Sequence, residues 1–110
     1  MNPMWLLPLV LLVVAPHAGA ADRQTTPRAA IRATFGPDAP LALRIAWCES
    51  RLGTDARNGQ HLGLFQMGTR ERARFGHGPD ALTQARAAHR YWLASSPHWR
   101  PWAASKECWR

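Results

Sequence analysis

Asp38-Ala39-Pro40-Leu41-Ala42-Leu43-Arg44-Ile45-Ala46-Trp47-Cys48-Glu49-Ser50-Arg51 carries two apolar stripes at helical spacing. Leu43, Ala46, Trp47 and Ser50 recur at intervals of three and four; Ala42, Ile45 and Glu49 form the neighbouring stripe. Asp38 stands where an N-cap belongs and Gly53 where the helix would end, so the spacing predicts a helix from Ala39 to about Arg51. One carboxyl group then sits in the last turn of an otherwise apolar helix, beside Trp47 and Cys48. Removing an anion from water is costly, and the negative end of the helix dipole adds to that cost. A carboxyl group that keeps its proton near neutral pH is what a general acid requires. The plainer alternative is a surface glutamate paired with Arg51 or Arg57. The only other glutamates, Glu71 and Glu107, lie in less apolar contexts.

Upstream, Thr26-Pro27 reads as an N-cap followed by proline at the first helical position, opening a helix that Gly36-Pro37 stops after Phe35. Downstream, Thr54 to Leu62 is a polar loop with an Asn58-Gly59 turn, and Gly63-Leu64-Phe65-Gln66-Met67 is a short apolar run. Thr69 opens a short helix through Phe75. Asp80 caps a longer one from Ala81 to about Ser95, with Leu82, Ala85, Ala88 or His89, and Trp92 on one face. No internal repeat and no multi-strand sheet is visible. The fold class is mostly α.

The chain has 110 residues, enough for one small domain. Residues 1–20 read as a signal peptide: Met4 to Ala15 is apolar but for Pro8, and Ala18-Gly19-Ala20 is a small-x-small cleavage pattern. The run falls short of the roughly 20 residues a membrane span needs. Retention as an uncleaved anchor is the alternative. Residues 21–29 are expected as a disordered N-terminal segment and 30–110 as the folded domain. Export implies an oxidising compartment, so Cys48 and Cys108, the only cysteines, are expected to pair; two free thiols are the alternative. The bridge would close a loop worth roughly 4 kcal/mol in the chain-entropy model. No cysteine–histidine spacing suits a metal, so neither metal nor cofactor is expected. The net charge is +7, and all of it falls after residue 20. Such a balance suits an anionic partner. Thirteen of the fourteen basic residues are arginine, which a GC-rich genome explains equally well. No recognised nucleic-acid motif accompanies the charge.

Taken together, Ala46-Trp47-Cys48-Glu49-Ser50-Arg51-Leu52, Ala56-Arg57-Asn58-Gly59, Gly63-Leu64-Phe65-Gln66-Met67 and Ala87-Ala88-His89-Arg90-Tyr91-Trp92-Leu93 resemble, in order and approximate spacing, the catalytic domain of soluble lytic transglycosylases and goose-type lysozymes. The resemblance covers roughly residues 30–102. It implies a small lysozyme-like α fold that cleaves the β-1,4 bond between N-acetylmuramic acid and N-acetylglucosamine in peptidoglycan strands. It implies Glu49 as general acid and then base. It also implies that Ser50 holds the acid, that Gln66 meets an N-acetyl or hydroxyl group of the sugar, and that the Tyr91 hydroxyl reaches the catalytic carboxyl. This chain departs from the family where Ala88 and His89 stand in place of a glycine, and where Leu-Phe-Gln replaces Leu-Met-Gln.

The expected protein is a secreted or wall-associated monomer acting on peptidoglycan, with anionic wall polymers as further partners and no nucleic acid. Two rivals stand beside it: a true lysozyme that uses water, and a non-catalytic cationic wall-binding module on the same fold. Asp55, Glu71 and Asp80 are the candidates for a second carboxylate. Trp47 and Trp92 are assigned to the core, Trp99 and Trp102 to packing around the disulfide. Arg70, Arg72 and Arg74 are read as a solvated helix face.

Overall fold

The computed structural model describes residues 24–110; the signal peptide read over residues 1–20 lies outside the described residues. Helix α1 spans Pro27–Phe35, with Thr26 in extended conformation accepting a hydrogen bond from the Ala29 amide. Residues 27–29 therefore belong to the folded domain and not to a disordered segment, because the Thr26 cap and Pro27 start the helix ahead of Ala30. Gly36, at φ 53°, ends α1, and a 3-10 turn over Gly36–Asp38 runs directly into α2, Ala39–Ser50. Asp38 consequently has helical backbone and makes no side-chain cap, contrary to expectation.

The buried face of α2 joins parts of both stripes, Ala42 and Ile45 from one and Ala46 from the other, with Ala39 one turn ahead. Its small side chains let α1 come close. Trp47 lies on the flank, 45% exposed, with the Arg51 guanidinium over its ring at 4.8 Å, so it is not a core residue. The polar loop folds into a two-stranded antiparallel hairpin, β1 (Arg57–Asn58) and β2 (His61–Leu62), with Gly59 at positive φ in its two-residue turn. Leu62 pairs in turn with Met67, closing a loop over Gly63–Gln66 that buries Leu64 and Phe65. Helix α3 covers Thr69–Phe75, with Gly68 rather than Thr69 as its N-cap. Arg72 is no solvated residue: it donates to the carbonyls of Gln60 and Met67 and clamps the hairpin to α3.

Helix α4, Ala81–Leu93, is capped by Asp80, whose carboxylate accepts from the Thr83 amide at 3.0 Å. It buries Ala81, Gln84, Ala85, Ala87 and Ala88 and packs on α1 and α3. Leu82, His89 and Trp92 are pushed to its flank because the alanine face makes the closer helix contact. The chain ends in a 3-10 stretch, Arg100–Ser105, and a short α5, Lys106–Trp109. The Cys48–Cys108 disulfide ties α5 to α2. The fold is thus mostly helical, with one small hairpin and one disulfide.

Aromatic rings fill what the alanine-rich helices leave open. Phe35 stacks on Trp99 with centroids 6.0 Å apart, and Phe65 meets Trp102 edge-on at 5.8 Å. His89 and His98 both stack on Trp92. Trp99 and Trp102 therefore pack against Phe35, Phe65 and Tyr91 rather than around the disulfide.

Candidate active site

Glu49 occupies the penultimate position of α2, half-buried. Its Oε1 accepts a hydrogen bond of 2.7 Å from the Ser105 hydroxyl. Ser105 is itself held: its Oγ accepts from the Trp109 indole at 3.1 Å, and the same indole donates to the Trp102 carbonyl. The Trp102 indole donates to the Phe65 carbonyl at 2.9 Å. A relay of fixed groups thus runs from the Phe65 loop through the C-terminal segment to one oxygen of the carboxyl group.

Ser50 does not hold Glu49 directly. Its hydroxyl donates to the carbonyls of Leu64 (2.8 Å) and Ala46 (3.0 Å) and accepts from the Gly53 amide (3.2 Å). That fastens the last turn of α2 to the Gly63–Met67 loop. Gln66 spends both amide hydrogens inside the protein, on Ala56 O at 2.8 Å and Gly63 O at 3.0 Å, so its carbonyl oxygen is the group it can offer to a ligand. The Tyr91 ring stacks on Phe75 at 5.2 Å and lies 5.7 Å from Trp102; the hydroxyl bonded to Glu49 is that of Ser105, not of Tyr91. Burial raises the Tyr91 phenol above its ordinary range, and Glu71 adds to this while Arg74 opposes it.

Backbone conformation marks the same region. Among the described residues, the non-glycine positions with positive φ are Arg51 (54°), Leu52 (62°) and Gln66 (49°). All three lie in the Glu49 and Gln66 motifs. Each costs roughly 1–3 kcal/mol, and such strain persists where surrounding structure holds it, often at functional sites. Here the Ser50 and Gln66 side chains do the holding.

Two residues central to this arrangement carry no signal in the motifs. Ser105 sits in a tail without helical periodicity. Gln84, only 1% exposed, accepts from the Leu64 amide at 2.8 Å and donates to the carbonyls of Thr54 (3.0 Å) and Gly78 (3.1 Å). Its position three residues after Ala81 and just before Ala85, on the alanine face, is the available clue. Gly63 is required beside it, since a Cβ there would come within 2.4 Å of the Gln84 amide oxygen.

Among the described residues, no group of three or more His, Cys, Asp or Glu is arranged to hold a metal ion. Tyr91 and Arg100 line a cavity of about 420 Å³ with Ser95 and Ser96. Comparison with protein-family models, with curated proteins and with solved structures finds no match to this chain.

Proposed function

We propose that this chain is an exported peptidoglycan lytic transglycosylase on a lysozyme-like fold, with Glu49 as general acid and then base. The observation that carries the reading is the anchored, half-buried carboxyl group: Ser105 holds Oε1 at 2.7 Å, while Glu49 is only partly covered and so accessible to a substrate. The strained backbone at Arg51, Leu52 and Gln66, confined to the two motif segments, supports it.

In the reaction, Glu49 donates its proton to the glycosidic oxygen, the bond to the muramyl C1 breaks, and the N-acetylglucosamine leaves as an alcohol. The substrate's own N-acetyl group assists at C1. The muramyl C6 hydroxyl then attacks C1 and returns its proton to the Glu49 carboxylate, giving a 1,6-anhydro end. The Gln66 carbonyl oxygen is suited to accept from an N-acetyl N–H or a sugar hydroxyl. Ser50 acts through the backbone, as a positioning residue.

Mass spectrometry of the fragments released from purified sacculi tests this directly. Anhydro-muropeptides are expected, and reducing ends instead would identify a water-using lysozyme. Wall binding or killing that survives Glu49→Gln unchanged would identify the non-catalytic module.

A further inference from the structure

A second surface lies on the other side of α2. Trp47 and Glu49 are two residues apart, about 200° around the helix axis. Trp47, Leu43, Arg28, Arg44 and the Cys48–Cys108 bridge line a cavity of about 390 Å³. No lining residue is acidic. Arg44 spends its Nε on the Trp109 carbonyl at 3.2 Å, which fixes the side chain and leaves its terminal nitrogens to other acceptors. Arg51, which is not part of the lining, covers the Trp47 ring at 4.8 Å. Trp47 is thus a large exposed aromatic in a concavity bordered by guanidinium groups.

We infer that this concavity is a second glycan-binding site, which takes a sugar ring together with the carboxylates of the peptide attached to it, supplied by an uncleaved peptidoglycan strand. The flat, amphipathic indole suits the apolar face of a pyranose. Arg28 and Arg44 suit carboxylates, for which the guanidinium fork offers paired donors. A phosphate polymer without sugar rings would satisfy the arginines but not Trp47. The inference rests on the proposed wall-glycan reading for its ligand, but not on catalysis. Engaging one strand here while Glu49 meets another would hold the enzyme on the wall between cleavage events.

The test is sedimentation with purified sacculi stripped of phosphate-linked polymers, using the full chain with Glu49→Gln in every arm so that the wall stays intact. Trp47→Ala should lower the affinity at least tenfold, Arg28→Ala severalfold, and added salt or esterification of the wall carboxylates should weaken the parent. Melting curves should show both variants folded; if Trp47→Ala unfolds, the exposed Arg28→Ala decides. Failure of the parent to sediment, equal sedimentation of the folded variants, or binding only to walls that keep their phosphate polymers would overturn the site. Wild-type cleavage is read separately. Trp47-dependent binding by a protein that releases no fragments would keep this site and remove the proposed activity.

Discussion

Gln84 and Glu49 are both polar side chains on apolar helical faces, yet they are finished in opposite ways. Gln84 is sealed in the core, its amide oxygen accepting from Leu64 and its nitrogen donating to Thr54 and Gly78. Glu49 is half-buried, with Oε1 bound by Ser105. A saturated buried group specifies structure, because every bond it makes replaces one lost from water. A partly committed one is available for chemistry. The contrast predicts that function and stability separate cleanly between the two residues.

The largest effect tests that separation at Glu49. Glu49→Gln should lower fragment release from sacculi by roughly 10²–10⁴-fold, the range a positioned general acid supplies, and further if the base role is also lost. Its melting temperature should stay within a few degrees of wild type. Clearing of walls at near wild-type rate by the folded variant would erase the distinction. Gln84→Ala should do the reverse. It strands the Leu64 amide and at least two carbonyls without partners, at about 3–5 kcal/mol in total. Denaturant titration would read this; a loss under 1 kcal/mol would mean that water replaces the amide.

The disulfide ranks next. Its loop, with a sequence separation of 60, is worth about 4 kcal/mol in the chain-entropy model. The bridge is not the tail's sole anchor, however: Trp102 is 3% and Trp109 7% exposed, and both indoles are hydrogen-bonded. Cys108→Ser should therefore lower the melting temperature by about 10 °C or more while the tail stays docked and activity persists at low temperature. Loss of activity well below the melting transition would show that the disulfide alone positions Ser105.

Local signals were legible where one residue type enforces one backbone state. Thr26-Pro27, Gly36 and Asp80 fall where capping rules put them, whereas α2 closes on Arg51, at φ 54°, ahead of the expected stop at Gly53. What escaped depends on contacts between distant segments. Which α2 face is buried follows from how closely α1 approaches, and spacing alone groups the exposed Trp47 with the buried Ala46. Arg72 belongs to the hairpin because its guanidinium spans two carbonyls that only the folded loop brings together. Ser105 lies 56 residues from Glu49, in a segment whose 3-10 backbone has no apolar period to reveal it.

Ser105 sharpens the comparison from the Glu49 side. Ser105→Ala removes one hydrogen bond and should lower kcat roughly tenfold with KM little changed, at a stability cost of about 1 kcal/mol. Ser105→Thr keeps the hydroxyl and should restore most of the rate. A purely structural serine would shift stability without this split.

The smallest effect belongs to the Gln84 side and depends on pH. The His77 Nε2 atom is buried without a hydrogen-bond partner, and a Cβ at Gly63 would meet both it and the Gln84 amide. Burial, reinforced by the Arg72 charge and opposed by Asp80, lowers His77 from its ordinary 6.5 to about 4. Folding therefore favours the neutral ring. The contribution is full above pH 6.5 and is lost as pH falls from there toward about 4, because in that window the unfolded chain binds a proton that the folded one refuses. The ring is only half-buried, so solvent screening reduces the effect to about 1–2 kcal/mol. His89 is shifted in the same direction by burial, with Asp38 opposing, so wild type alone would mix the two. The difference between wild type and His77→Gln isolates His77. Melting curves from pH 4 to 8 should show wild type losing stability toward acid faster than His77→Gln. Parallel curves would mean that water reaches His77 and that the Gln84 region is less sealed than its hydrogen bonds imply.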